Sequence, residues 1–374
     1  MTGQSAGTGT GAEMLTGDPD LTVGAATHRV LVARAPGRVN LVGDHTDYNG
    51  GLALPMAIDL VTEVHLTENG SGRLLLLSTL DAEPADLPLD LPFDPRALGT
   101  VTPSWARLAA AVVAQARPPH GGIGRITSTV PVGAGLSSSA AVTVALATAF
   151  GAAGPPEVVA RLCQRAEAAV GADVGLMDQL ASVAGRAGHA LLIDFSTLAI
   201  EQVPMPGDAE VVVVHSGVAR VLERTPYAAR RAECDAAAVE LGHPLGQAEA
   251  ADLPGIRDPV LRRRTRHVVT ECERVRSFTG ALAAGDLVGA GQLLRESHRS
   301  LTEDFAASVP EIDALVGELA ARPGVYGARM TGGGFGGCVV ALCEPGALDP
   351  EDWPGRAWRV MPAEGASLQV EPIT

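Results

Sequence analysis

Apolar residues recur along this chain at two different periods, and the two alternate too irregularly for a repeating strand–helix unit. Alternating or unbroken apolar runs predict strands at HRVLVARAP and VNLVG, separated by a Pro-Gly turn, and then at LALPMAIDLVTEVHL, RLLLLSTL, GRITSTVPV and HALLIDF. Spacings of three and four predict helices over SWARLAAAVVAQAR, over AVTVALATAF after a Gly-rich turn, over PEVVARLCQRAEAAV with Pro at its start, and over LMDQLASVAG. Residues 81–100, rich in Asp, Pro and Leu, are predicted as an irregular connection. Near residue 200 the pattern restarts: a strand VVVVHSG, a helix YAARRAECDAAAVEL, an Arg-rich helix around 259–284, and helices at DLVGAGQLLRESHRSL and 311–321. GARMTGGGFGGCVVALC then ends in an apolar strand. The sum is an α+β architecture in two lobes, 26–200 and 201–374, behind a flexible Gly/Thr/Ala-rich tail over 1–25.

Composition narrows the function classes. The 374 residues, 46% hydrophobic and 19% charged, suffice for two domains sharing a cleft. No apolar run is long enough for a membrane span, and the tail lacks the cationic start and apolar core of a signal peptide, so a cytoplasmic protein is expected. A net charge of −15 argues against nucleic acid or an anionic membrane as partner. All 28 basic residues are arginine, which excludes the Lys-dependent P-loop, the protein kinases and Schiff-base enzymes. The five cysteines form no CxxC pair and read as buried free thiols in a reducing compartment.

Three segments carry candidate chemistry. In PVGAGLSSSAA (131–141) small residues let backbone N–H groups approach a ligand, and three hydroxyls sit where a helix begins. A helix N-terminus presents unpaired donors and partial positive charge, so the segment reads either as a phosphate cradle or as a serine cap after a glycine turn. TGGGFGGCVVAL (331–342) matches GxGxxG in letters, but a strand follows it, which rejects a dinucleotide fold. Its glycines mark close approach of backbone either to another strand or to a ligand. In APGRVNLVGDHTDYNGG (35–51), Arg38, Asp44, His45 and Asp47 offer donors and acceptors to a polyhydroxylated ligand. The alternatives there are a solvated loop with Asx turns or, without a partner His motif, a metal site.

Taken together in chain order, APGRVNLVGDHTDYN, then PVGAGLSSSAA, then MTGGGFGGCVVAL resemble the GHMP kinase family, and APGRVNLVGDHTDYN is similar to the galactokinases and their nearest sugar-kinase relatives. The resemblance spreads over 28–345, including SWARL, GLMDQLAS, YAARRAEC and ESHRSLTEDF. It implies a two-lobed GHMP kinase fold with the active site in the cleft between the lobes. It also implies a monomeric enzyme that phosphorylates galactose at its anomeric hydroxyl, with ATP as co-substrate and Mg2+ as cofactor. Arabinose, galacturonate and N-acetylgalactosamine are the alternative sugars. A silent sugar sensor is a further alternative, although Ser137 to Ala141, Arg38 and Asp178 are all intact here.

By the same resemblance, Asp178 takes the catalytic carboxylate position, and Arg38 the position that stabilises the transition state. A carboxylate near a sugar hydroxyl can orient it and take its proton, and a guanidinium offsets charge on the transferring phosphoryl group. Gly133, Ala134, Gly135, Leu136, Ser137, Ser138 and Ser139 match the triphosphate-binding loop; Ser139 and Glu167 match the Mg2+ positions. AEAAVGADVG is one residue shorter than the family pattern after the Glu. Trp105 matches an aromatic beside the nucleotide base, its other reading being a core tryptophan. Asp44, His45, Asp47, Gly175 and Tyr227 match the positions that contact galactose, with Asp44 standing where galactokinases usually carry Glu.

Overall fold

A computed structural model describes residues 29–79, 81–172, 175–218 and 226–372. The tail expected over 1–25 lies outside the described residues. The first half of the chain runs β1 (Arg29–Val42), β2 (Leu52–Glu68), β3 (Arg73–Ser78), β4 (Asp81–Pro88), α1 (Pro95–Gly99), α2 (Ala106–Ala116) and β5 (Gly122–Ser128). It continues through α3 (Ser138–Ala149), α4 (Pro156–Ala169), α5 (Met177–Ala184), β6 (His189–Asp194) and β7 (Ala199–Pro204). The second half holds β8 (Glu210–His215), α6 (Pro226–Leu241), α7 (Pro259–Ala284), α8 (Leu287–Glu303), α9 (Pro310–Ala320), β9 (Val325–Thr331), β10 (Cys338–Cys343), β11 (Ala357–Val360) and β12 (Ser367–Pro372).

Two sheets organise these elements. The larger follows the order β12-β1-β2-β5-β3-β4, with β6 pairing the start of β2 and β7 pairing β6; the smaller follows β11-β8-β10-β9. The α+β expectation holds. The chain's last strand returns to the edge of the larger sheet, Arg29 pairing with Pro372, and β7 at 199–204 also belongs to that sheet. The two predicted strands HRVLVARAP and VNLVG are one strand: register shifts at Pro36/Arg38 and Asn40/Val42 take up the Pro-Gly pair as a bulge instead of a turn. The predicted irregular stretch 81–100 instead holds β4 and α1. Its Pro84 hid an edge strand, where a missing N–H is tolerated, while Ala85 and Leu87 face the core.

The helices form where local chemistry and burial agree. α7 starts at Asp258, whose side chain accepts the N–H groups of Val260 and Leu261, carries Pro259 at its first position, and stops at Gly285 in the left-handed region, φ 69°. α3 is apolar all round and therefore central: Ala140, Ala141, Val144, Ala145 and Leu146 are all fully buried. In β8 both faces are buried. Val211 and Val213 share a core with Val39 and Leu41 of β1 and Phe278 of α7, while Val212 and Val214 pack with Leu301, Phe305 and Leu319. That shared core fastens the end of β1 to the second half of the chain, and the candidate site lies along this seam.

Candidate active site

β1 delivers Arg38 to the seam and α5 delivers Asp178. The Arg38 guanidinium, 4% exposed, holds Asp178 Oδ1 at 2.8 Å through Nε and at 2.6 Å through a terminal nitrogen. Its other terminal nitrogen donates to the Gly135 carbonyl at 2.7 Å, and the Arg38 N–H donates to the Leu136 carbonyl at 3.2 Å. One arginine thus ties the glycine–serine loop to the carboxylate. Gly37 makes the approach possible, since a Cβ there would lie 2.6 Å from the Leu136 carbonyl oxygen. Ser137 stands at the cap position of α3 in the left-handed region, φ 61°, yet its hydroxyl makes no cap and donates to Asp178 Oδ2 at 2.6 Å. The first N–H groups of α3 are therefore left without a side-chain acceptor, beside the positive-φ residues Gly133 and Gly135.

The loop after β1 gathers the next group. Asp47 lies against Gly175, where a Cβ would fall 1.5 Å from the Asp47 carboxylate oxygen. Burial, followed by the charge of Asp178, pushes the Asp47 carboxyl up to about 6. His45, at φ 64°, shares a 2.9 Å hydrogen bond through Nδ1 with the Tyr48 hydroxyl. It stacks on Phe305 at 4.3 Å and lies 5.6 Å from the Tyr227 ring. Asp178, Asp47, Gly175, His45 and Tyr227 thus come together around one loop.

Asp44 is placed differently. Its carboxylate turns inward, pairing with Arg329 through Oδ2 and accepting the Gly332 N–H at 3.1 Å through Oδ1. Burial pushes its carboxyl above the usual range, against the pull of Arg329. Its carbonyl accepts from His267 Nε2 at 3.1 Å. Burial holds that imidazole down at about 4, and its Nδ1 meets the Ser300 hydroxyl at 2.9 Å. Arg329 also donates to the Leu41 carbonyl at 3.0 Å and lies 3.9 Å from Glu271. Glu271 accepts the Gly43 N–H at 3.0 Å, the Ser297 hydroxyl at 2.5 Å and Arg274 at 2.7 Å. Burial alone would raise Glu271, but Arg274, His267 and Arg329 together bring it down to about 2.

At the start of α3, Ser138 is half-buried and Ser139 exposed. Glu167, on α4, is buried; Oε1 accepts from Gln179 at 2.7 Å and Thr143 at 3.2 Å, and burial pushes its carboxyl up. The shortened turn after it includes residues 173 and 174, which lie outside the described residues. Trp105 is half-buried against the α2 core and donates its indole N–H to the Glu83 carbonyl at 3.0 Å. Among the described residues no cluster of three or more His, Cys, Asp or Glu could hold a metal by itself. The second glycine segment approaches both a strand end and a loop: Ser216 donates to the Gly337 carbonyl at 2.8 Å, and a Cβ on Gly337 would lie 3.9 Å from the Ala134 carbonyl oxygen.

Sequence reasoning missed Arg329 and Glu271, and it missed the Ser137–Asp178 bond. Arg329 sits in an apolar strand, ARMT, where a charge is expensive without a partner, and that cost was the signal available. Glu271 lies on the apolar face of α7, with buried Val268, Cys272 and Val275.

A galactokinase galactose-binding signature matches residues 22–67, a GHMP kinases N-terminal domain matches 106–186, and a GHMP kinases C-terminal domain matches 278–362. Human galactokinase is 42% identical over 331 residues, covering 85% of this chain and 84% of that protein. The chain belongs to the galactokinase family of GHMP kinases. The Mycobacterium tuberculosis galactokinase is 45% identical over 324 residues, 82% of this chain and 87% of that one. Among solved structures, Lactococcus lactis galactokinase complexed with galactose superposes with a TM-score of 0.81 at 27% identity, covering 90% of this chain and 95% of that chain. The mevalonate kinase of Methanococcus jannaschii shares the fold at a TM-score of 0.61 and 18% identity, covering 89% and 98%. As a galactokinase-family member the chain is a kinase acting on small molecules, and ATP-using kinases generally require a metal cofactor. Among the described residues no helix is long and apolar enough to cross a membrane.

Proposed function

We propose that this chain transfers the γ-phosphoryl group of ATP to the anomeric hydroxyl of α-D-galactose, giving α-D-galactose 1-phosphate and ADP. The observation that carries the reading is the Arg38–Asp178 pair at 2.6 Å, which joins β1 to α5 while the same guanidinium holds the Gly135 carbonyl of the glycine–serine loop. Asp178, 24% exposed, is the proton acceptor as the sugar oxygen attacks phosphorus. The bond from the γ-phosphorus to its bridging oxygen breaks, and ADP leaves. Arg38 holds the carboxylate in place and offsets charge on the phosphoryl group in transit. The loop Gly133–Ser139, at the uncapped start of α3, cradles the triphosphate by backbone N–H groups and meets the charge requirement without any lysine. His45, Asp47, Gly175 and Tyr227 surround the sugar, and Trp105 flanks the base.

Ser139 and Glu167 would hold Mg2+, and the residues present fit it. Ser139, exposed at the start of α3, and the buried Glu167 carboxylate, whose charged form the Ser139 side chain favours, offer a pair of hard oxygen donors. Mg2+ takes few protein ligands and keeps waters and phosphates for the rest, so two suffice. When bound with ATP, it neutralises charge on the β- and γ-phosphates. The acidic surface, net −15, and five buried free cysteines support a cytoplasmic enzyme, which we take to be a monomer without nucleic-acid or membrane partners.

The test is sugar-dependent ADP release across galactose, arabinose, galacturonate and N-acetylgalactosamine. Galactose is expected to give the highest kcat/KM. Absence of turnover with galactose overturns the assignment of the sugar, and absence with every sugar overturns the activity.

A further inference from the structure

We infer that Asp44 is a positioning residue rather than a sugar ligand: with Arg329 and Gly332 it forms a buried strut that fixes the sugar loop against the second glycine-rich loop. This inference rests on the proposed reaction. A carboxylate that receives sugar hydroxyls must offer them open lone pairs. The Asp178 side chain is 24% exposed, whereas the Asp44 side chain is 2% exposed. Both Asp44 oxygens are already engaged, one by the Arg329 guanidinium and one by the Gly332 N–H. His267 holds the Asp44 carbonyl at 3.1 Å.

The strut spans two lobes. Arg329 and Thr331 are alternate residues of β9 and so point to the same side of the strand. Both reach the end of β1: Arg329 donates to the Leu41 carbonyl at 3.0 Å and Thr331 to the Asn40 carbonyl at 2.8 Å. Gly332, the next residue, opens the loop whose far end at Gly337 adjoins Ala134 of the glycine–serine loop. Asp44 is thus the point where sugar loop and nucleotide side share one carboxylate. The shorter Asp suits this position, because its carboxylate stays inside the seam instead of reaching one methylene further. Two carboxylates, Asp44 and Glu271, flank the fully buried Arg329, so neither is replaceable without leaving an unpaired charge.

The experiment is a double-mutant cycle of Asp44→Asn and Arg329→Met, read by KM for galactose, KM for ATP and kcat, with galactose and its monodeoxy derivatives as acceptors. A strut predicts that Asp44→Asn raises both KM values and lowers kcat/KM by the same factor, within about threefold, for galactose and every deoxy derivative. It also predicts that the double variant is markedly better than the product of the single effects. A sugar ligand predicts instead that KM for ATP stays put and that the penalty shrinks by about 10- to 100-fold with one particular deoxy sugar. That second pattern, or additive single effects, overturns the inference. Loss of kcat with both KM values unchanged also overturns it, since that is fewer folded molecules and not displaced loops. Should Asp44→Asn fail to fold, Asp44→Glu keeps the charge and is scored the same way. If wild type turns over another sugar, the same cycle is run on that sugar, so failure of the galactose assignment is seen separately.

Discussion

The Ser137 hydroxyl donates to Asp178 Oδ2 at 2.6 Å, while Arg38 occupies the other oxygen. The proposed proton acceptor is therefore held at both ends, with its free lone pairs directed by two fixed donors. A hydrogen bond to a charged group contributes roughly 1.5–3 kcal/mol, so Ser137→Ala is expected to lower kcat by about 10- to 100-fold, with a fall in thermal midpoint of at most a few degrees. Asp178→Ala is expected to cost more, at least about 10³-fold, with ADP affinity by titration calorimetry largely retained. A Ser137→Ala enzyme with normal kcat would separate the hydroxyl from the chemistry.

Gly175 gives a second expectation. A Cβ at this position would sit 1.5 Å from the Asp47 carboxylate oxygen, so Gly175→Ala must swing Asp47 away. If Asp47 grips the sugar, KM for galactose rises by about tenfold or more while KM for ATP holds. Steady-state kinetics with each substrate varied in turn decides it, and equal changes in both constants would point to a general distortion.

Asp47 also sets a pH dependence. Its carboxyl titrates at about 6, well above the ordinary 3.8, because burial and Asp178 disfavour its charge. Only the ionised form accepts sugar hydroxyls, so kcat/KM for galactose should rise as pH passes through about 6 and then level off. At one pH unit below the midpoint it should stand about tenfold under the plateau. In Asp47→Asn the whole profile should lie lower and lose this limb. The linked effect on folding has the opposite sense: between 3.8 and about 6 the folded state binds the extra proton, so this group's contribution falls as pH rises through that window.

The residues that were legible in the sequence are those whose spacing is local. β8, α3 and α4 could be read from an apolar run, from the Gly-rich turn and from the proline at the helix start. Gly133, Gly135 and Ser137 declared themselves because small residues and hydroxyls cluster before an apolar helix. Asp178 did not, being one polar residue near a helix start; it stands out by resemblance and then by its bonds to Arg38 and Ser137, 140 and 41 positions away. Arg329 was illegible for the same reason. Its partners Leu41 and Asp44 lie 288 and 285 residues upstream, and no local pattern encodes such a contact. β4 was hidden by Pro84, because a proline counts against a strand unless the strand is known to be at an edge.

Glu271 closes the seam from below and should govern acid stability. Its carboxyl titrates at about 2, against an ordinary 4.5, because Arg274, His267 and Arg329 outweigh the burial that would raise it. A lowered folded-state value means the stabilisation is complete above about 4.5 and is lost as pH falls towards 2. The shift corresponds to something on the order of 3 kcal/mol. Glu271→Gln removes it at every pH and leaves Arg329 one carboxylate short, an expected cost of about 3–5 kcal/mol at neutral pH. Urea unfolding midpoints of both proteins from pH 7 to pH 2 test this. The two curves should lie apart at pH 7 and converge in acid, and a constant gap across that range would remove Glu271 from the acid transition.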